Sequence, residues 1–219
     1  MTRIVLLAVM VCVPVASQEV YSWPDTYLAR VEALALIETL NAEVLASRSA
    51  TLTLEAWCRD HRLATAPKVT ATLVKGTSIT ATAEQRERLQ VTPGDEVKYR
   101  RVQLRCGTRI LSEADNWYVP SRLTAEMNRL LEATDTPFGK AVQPLEPYRQ
   151  TFSVKLLWSP LPDGWELEHT PSKAGFGGAF TIPRALFEHR ALLYTHNHTP
   201  FSEVDEVYQG QLLAFPPPR

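Results

Sequence analysis

A carboxylate on the last predicted strand is the first candidate for chemistry. Residues 202–215 alternate in character, which predicts a strand with Val204, Glu206 and Tyr208 on one face. Glu206 then lies among apolar neighbours, and burial of a carboxyl group disfavours its charged form, as a general acid requires. A structural carboxylate paired with an arginine gives the same pattern, and alternation alone favours that second interpretation.

Two adjacent arginines form the second candidate, in a strand predicted over residues 97–106. Successive residues of a strand point to opposite faces, so either Arg100 or Arg101 can enter an interior pocket. There a guanidinium group could bind a carboxylate through two parallel hydrogen bonds. The alternation does not say which face lines a pocket, and a pair of charges on an edge strand is equally consistent with it.

Polar residues on the next strand and in the last turn are weaker candidates. Acidic residues are depleted in strands, so Glu113 and Asp115, with Asn116 beside them, indicate either a sheet edge or a site. His196 and His198 fall in a polar hairpin turn, where solvated histidines are more common than metal ligands. We therefore expect no metal site.

The elements that must position these residues follow from the periodicity of apolar residues. We predict helices over residues 24–46, with Asp25 as N-cap, over about residues 52–62, and over residues 125–132 after Thr124. We predict strands from residue 69 and over residues 97–106, 109–119, 151–158, 186–195 and 202–215. This order lacks the strand–helix alternation of a parallel sheet and indicates an α+β fold with antiparallel strands. Neither a GxGxxG nor a Walker A loop occurs.

Length and composition indicate one exported domain. The chain has 219 residues, of which 45% are hydrophobic and 21% are charged, as in ordinary globular proteins. Arg3 precedes an apolar run over residues 4–15, and small residues follow at 16 and 17, which is the pattern of a secretory signal peptide. We therefore expect residues 1–17 to be removed. Residues 18–219 would form a single periplasmic or secreted domain with no membrane span.

The net charge and the cysteines limit which partners and which compartment the sequence allows. The formal net charge is −1 and no basic stripe is present, so we expect no nucleic-acid partner and a monomeric protein. Two cysteines, Cys58 and Cys106, remain after signal removal. They could form a disulfide in an oxidising compartment or remain two separate buried thiols, and the sequence leaves both possibilities open.

Three segments, in order, resemble chorismate pyruvate-lyases. The strand over residues 99–106, with a partner strand ending at residues 119–120, resembles the central hairpin of that family. The run Thr136-Pro137-Phe138-Gly139 is similar to the family's Thr-Pro-Leu-Gly turn. The last hairpin, residues 190–208, resembles the hairpin that carries the catalytic glutamate. Together the segments lie within residues 90–215, and the same fold occurs in effector-binding domains of some transcription regulators.

The resemblance implies a six-stranded antiparallel sheet with helices packed on one side and a small buried pocket. It implies elimination of pyruvate from chorismate to give 4-hydroxybenzoate, without metal or organic cofactor. Arg101, or its neighbour Arg100, would bind a carboxylate of the ligand. The backbone around Phe138 and Gly139 would contact the ligand, and Glu206 would act as general acid and base.

Three functions therefore stay open. The first is an exported lyase acting on chorismate or a related carboxylated enol ether, which requires Arg101 and Glu206 to line one cavity. The second is a non-catalytic periplasmic binder of a small aromatic carboxylic acid, using the same pocket. The third is a structural protein of the envelope, whose pocket would be filled by Phe138, Trp117 and their neighbours.

Overall fold

The structure, a computed structural model, describes residues 22–167 and 177–217. The predicted signal peptide, residues 1–17, lies outside the described residues and stays a prediction. No helix among the described residues is long and apolar enough to cross a membrane. The predicted fold class is confirmed, since a six-stranded antiparallel sheet carries helices on one face.

Eight strands occur in the described part of the chain. Their bounds are β1 Trp23–Pro24, β2 Val69–Leu73, β3 Lys98–Cys106, β4 Arg109–Tyr118, β5 Tyr148–Leu156, β6 Ala179–Phe180, β7 Ala185–Tyr194 and β8 Pro200–Gln209. Strands β1 and β6 form a separate two-stranded pair, and the main sheet has the order β2-β3-β4-β8-β7-β5. Strands β4 and β8, which carry most of the candidate acidic residues, therefore lie at the centre of the sheet and not at its edges.

Five α-helices accompany the sheet within the described residues. Their bounds are α1 Tyr27–Ala46, α2 Ala50–Asp60, α3 Ala83–Arg88, α4 Ala125–Ala133 and α5 Phe138–Ala141. The predicted N-cap of α1 is wrong: Thr26, not Asp25, accepts the hydrogen bond from the Ala29 amide. The short α3 and α5 were not predicted from the sequence, because neither is long enough to show a repeating apolar face.

The face of the sheet under the helices, called here the inner face, forms the main core. Buried apolar residues of α1, such as Ala33, Ile37 and Leu40, share one cluster with Phe187 and Val204 of the sheet. Successive strands align Val102, Ala114, Glu206 and His189 along this face. The opposite, outer face is covered only in part, by a smaller cluster around Leu89 and Trp117.

A disulfide links helix α2 to the sheet. Cys58 and Cys106 are both fully buried and are bonded to each other, with a Cα–Cα distance of 6.4 Å. This decides between the two possibilities that the sequence left open. The bond holds α2 against β3, and so fixes one wall of the cavity described next.

Candidate functional site

A cavity of about 50 Å³ lies between the inner face and the loops that precede α2 and follow α5, and we call it the inner cavity. Strands β3, β4, β5, β7 and β8 all contribute to it, together with the turn between α1 and α2. Its lining residues are Arg48, Ser49, Ala50, Thr51, Arg100, Val102, Leu104, Ala114, Asn116, Phe138, Gly139, Pro147, Arg149, Leu193, Val204 and Glu206.

Arg100 is a buried cation without a counter-ion in this cavity. The residue is 6% exposed, and none of its three guanidinium nitrogens has a hydrogen-bond partner in the described part of the chain. Burial lowers the pKa of Arg100 to about 10, so the group still carries its charge at neutral pH. A buried, unpaired charge destabilises a fold by several kcal/mol, on the order of 3–5 when a partner is removed. The guanidinium group is therefore arranged to receive an anion.

Glu206 faces the same cavity but already has two protein partners. Its Oε2 lies 2.7 Å from Nη2 of Arg149, and the Tyr208 hydroxyl donates to Oε2 at 3.0 Å. The Glu206 and Arg149 side chains are 7% and 4% exposed. Burial alone would lower the pKa of Arg149, but the adjacent carboxylate outweighs it and raises that pKa. The ion pair with Arg149 and the hydrogen bond from Tyr208 therefore both fall on Oε2 of Glu206.

The remaining charges make the cavity positive. Arg48 lies exposed in the turn before α2 and lines the cavity with Arg100 and Arg149, against the one carboxylate of Glu206. The first residues of α2 also line it, and the N-terminus of a helix carries a partial positive charge. Among the described lining residues, arginines therefore outnumber carboxylates by three to one.

Phe138 and Gly139, which the resemblance places next to the ligand, both line the cavity. The Phe138 ring stacks on that of Phe201, with ring centres 6.2 Å apart. Gly139 packs against the turn before α2, where a Cβ atom would lie 2.8 Å from the Ser49 hydroxyl oxygen. Any residue other than glycine would therefore require the Ser49 side chain to move.

Arg101 points away from the cavity. It lies on the outer face, with Nε 3.7 Å from Asp115, and its side chain is 37% exposed. The requirement that Arg101 and Glu206 line one cavity is therefore not met, and Arg100 takes the position assigned to Arg101. The physical reason is that α1 and α2 cover the face carrying Arg100, which strand alternation alone does not reveal.

The polar residues of β4 divide between the two faces. Asn116 lines the cavity and donates from Nδ2 to the Ser202 hydroxyl at 2.8 Å, whereas Glu113 and Asp115 lie on the outer face. Glu113 accepts a hydrogen bond from Arg184 at 2.6 Å. Asp115 accepts one from the Tyr99 hydroxyl. These two carboxylates therefore lie neither at a sheet edge nor in the cavity. On the outer face they pair with the cations of Arg184 and Arg101.

The histidines differ from one another in burial. His189, which the sequence did not indicate, is fully buried on the inner face, with Nε2 2.7 Å from Oδ1 of Asn41. Burial, together with the charge of Arg149, lowers the pKa of His189 to about 4. His198 lies in the β7–β8 turn, where Nδ1 is 2.7 Å from the Tyr148 hydroxyl. Within residues 22–167 and 177–217, no group of three or more His, Cys, Asp or Glu side chains is placed to hold a metal ion.

Sequence reasoning missed two of the three cavity arginines. Arg149 lies in the first residues of β5, which the predicted strand, starting at residue 151, omitted. Its neighbour Tyr148 pairs with Tyr194, so strand propensity before residue 151 was a usable signal. Arg48 lies in a short turn between two helices, where no local pattern marks a site.

A positively charged cavity between an antiparallel sheet and its helices defines a small-ligand-binding fold of the α+β class. No family model matches the chain. A protein of Sinorhizobium fredii (strain NBRC 101917 / NGR234), called uncharacterized protein y4mC, is 46% identical over 221 residues, covering 99% of this chain and 93% of that protein. The chain belongs to the family of y4mC.

Solved structures with a similar fold include ligand-binding domains. The effector domain of PhnF from Mycobacterium smegmatis matches with a TM-score of 0.46 and 15% identity, over 74% of this chain and 88% of that one. A ligand-binding domain from Bordetella bronchiseptica, assigned to the GntR family of transcriptional regulators, matches with a TM-score of 0.41 and 18% identity, over 64% and 82%. Membership among the chorismate pyruvate-lyases themselves is not confirmed.

The prediction that the chain has no nucleic-acid partner is contradicted by these neighbours, because transcriptional regulators are among them. That prediction rests on a formal net charge of −1. Net charge does not decide the question, since a ligand-binding domain can serve in a regulator without itself presenting a basic surface.

Proposed function

We propose that this protein is an exported binder of a small carboxylated aromatic or enol-ether ligand, held in the inner cavity. The observation that carries the proposal is the buried guanidinium group of Arg100, which lines the cavity and has no hydrogen-bond partner among the described residues. A ligand carboxylate would accept two parallel hydrogen bonds from it and neutralise its charge. Arg48 at the edge of the cavity would attract the anion.

Glu206 would recognise the other end of such a ligand. Arg149 and Tyr208 engage Oε2 of Glu206 and hold the carboxylate in place. A hydroxyl group on the ligand could donate to this carboxylate. The role of Glu206 is therefore specificity for a hydrogen-bond donor, and that of Arg100 is affinity for an anion.

Size limits the ligand. One water molecule needs a cavity volume of at least about 10–15 Å³, so the inner cavity, of about 50 Å³, accommodates a few water molecules. An aromatic ring requires Phe138 to move, and a smaller side chain at that position would favour ring binding. We therefore expect Phe138→Leu to bind an aromatic acid more tightly than the wild type.

Export is supported by the pattern of residues 1–17 and by the disulfide between Cys58 and Cys106, because disulfides persist in oxidising compartments. Fractionation of cells expressing the full chain tests this directly. Recovery of a shortened protein outside the cytoplasm, starting near residue 18, is the expected result. Recovery of the intact chain from the cytoplasm would contradict export.

Isothermal titration calorimetry with 4-hydroxybenzoate tests ligand binding, and phenol serves as the probe without a carboxylate. We expect Arg100→Met to lose at least about tenfold in affinity, since a hydrogen bond to a charged group contributes about 1.5–3 kcal/mol. Arg101→Met is the matched control, because it changes the same residue type on the same strand but on the outer face. Equal affinity in Arg100→Met and Arg101→Met would contradict the proposal.

Lyase activity is the second candidate, favoured by the presence of an arginine and a carboxylate in one cavity. Incubation with chorismate, followed by assays for pyruvate and 4-hydroxybenzoate, separates the two functions. Product formed by the wild type and absent in Glu206→Gln would assign the lyase. Binding of chorismate without product would assign the binder.

A further inference from the structure

A second cavity, of about 460 Å³, lies beside the inner cavity at the start of β3. Its walls are the loop after β2, the first residues of β3, the end of β4 and the C-terminal end of α4. The lining residues are Leu73, Ser78, Ile79, Thr80, Val97, Lys98, Tyr99, Arg100, Tyr118, Leu131 and Glu132. This cavity has room for a ligand that the inner cavity does not have.

Strand β3 runs past both cavities and places Arg100 between them. Alternate residues of a strand share a face, so Leu104, Val102, Arg100 and Lys98 follow one another along the inner face. The first two line the inner cavity, Lys98 lines the second cavity, and Arg100 lines both. Arg100, whose guanidinium nitrogens have no partner among the described residues, is therefore a lining residue of both cavities.

Two more polar side chains, those of Tyr118 and Glu132, line the second cavity together with Lys98. Lys98 is the cross-strand neighbour of Tyr118, and its Nζ lies 2.5 Å from Oε1 of Glu132. Burial raises the pKa of Tyr118, so its hydroxyl keeps its proton and can donate a hydrogen bond. The Lys98 and Glu132 side chains are 37% and 50% exposed. Exposed ion pairs of this kind contribute little to stability, so an incoming anion can replace Glu132.

We propose that the second cavity binds a small oxyanion, a phosphate or a carboxylate, between Arg100 and Lys98. Arg100 supplies the buried charge at the floor of the site and Lys98 the exposed charge at its rim. Tyr118 adds a hydrogen-bond donor. When the oxyanion is absent, Lys98 pairs with Glu132, and the Glu132 carboxylate therefore competes with the oxyanion for Lys98. The site shares Arg100 with the inner cavity of the proposed function, whereas Lys98, Tyr118 and Glu132 line the second cavity and not the inner one.

Sharing one guanidinium group couples the two cavities. An anion in the second cavity takes hydrogen bonds from Arg100 that a carboxylate in the inner cavity would otherwise use. Its charge also repels that carboxylate. Binding in either cavity therefore weakens binding in the other by the same factor, as linkage requires.

To test the proposal, the full chain is expressed and the purified protein is titrated with inorganic phosphate. A parallel titration with acetate distinguishes a phosphate site from a carboxylate site. We expect Lys98→Met to weaken phosphate binding by about fivefold or more, because it removes one charged hydrogen-bond donor. We expect Glu132→Gln to strengthen phosphate binding severalfold, because the competing charge is lost. Lys98→Met should leave the affinity for 4-hydroxybenzoate unchanged, which distinguishes this proposal from the proposed function.

Arg100→Met should abolish phosphate binding, and Arg101→Met should not alter it. Urea unfolding of each variant confirms that it is folded before its affinity is compared. Phosphate affinity that is the same in Lys98→Met, Glu132→Gln and the wild type would overturn the proposal, as would no phosphate or acetate binding by the wild type. Stronger acetate than phosphate binding, with the same dependence on Lys98, would retain the site and assign it to carboxylates.

Discussion

Replacing Arg100 by methionine should stabilise the protein while removing its ligand. The side chain is almost fully buried, and its charge has no partner among the described residues. Burial lowers its pKa to about 10. Each pH unit by which a pKa differs between the folded and unfolded states corresponds to about 1.36 kcal/mol. The buried charge therefore costs about 3 kcal/mol of folding free energy. Methionine has a similar length and no charge, so the variant should recover much of this amount.

The pH dependence of this cost fixes the conditions of the assay. The folded-state pKa of Arg100 is lower than its unfolded-state value. The destabilisation is therefore present in full at every pH below about 10, and it decreases only as the pH rises above that value. Urea unfolding at pH 7, with linear extrapolation to water, measures the whole effect.

Arg101→Met is again the control, because its side chain is 37% exposed and should change stability little. We expect the free energy of unfolding of Arg100→Met to exceed that of Arg101→Met by about 2–3 kcal/mol. In a domain of this size, the midpoint of thermal unfolding would rise by roughly 4–12 °C. A loss of stability in Arg100→Met, or no difference between the two variants, would refute the idea that Arg100 carries an unpaired charge.

Three further predictions concern stability. Glu206→Gln leaves Arg149 buried without a counter-ion and should lower the free energy of unfolding by about 3–5 kcal/mol, while adding Arg149→Met should restore part of the loss. Opening the Cys58–Cys106 disulfide, which spans 48 residues, should cost about 4 kcal/mol, measured as urea unfolding with and without reductant; an unchanged midpoint would exclude a stabilising role. Burial raises the pKa of Asp205 to about 6, so its charge destabilises the fold above that pH. Asp205→Asn should therefore add about 1–2 kcal/mol at pH 8 and nothing below pH 4, and a gain at both would contradict the assignment.

The sequence predicted the framework of the fold well. The six strands of the main sheet and the three longer helices occur close to their predicted positions. Alternation in the last strand placed Glu206 with Val204 and Tyr208, and both relations hold. Such patterns are local, because strand and helix geometry repeats every two or about 3.6 residues along the chain.

The candidate site was predictable only in part. Glu206, Phe138 and Gly139 are candidates from the sequence that line the cavity. Of the two adjacent arginines, the resemblance favours Arg101, whereas Arg100 is the one that lines the cavity. The partner of Glu206 could not be found, because Arg149 is 57 residues away in sequence and meets it only through β7, the strand between β5 and β8. Periodicity within one strand or helix does not predict a contact between residues so far apart in the chain.

The sequence by itself determined that Arg100 and Arg101 lie on opposite faces of one strand, because successive side chains of a strand alternate. It also determined the order of helices and strands, and so the α+β class. Only the tertiary structure decided that the face with Arg100 is the buried one, because the packing of α1 and α2, fixed through the bond between Cys58 and Cys106, covers that face. The charge of a cavity is a sum over residues distant in the chain, and folding alone brings them together.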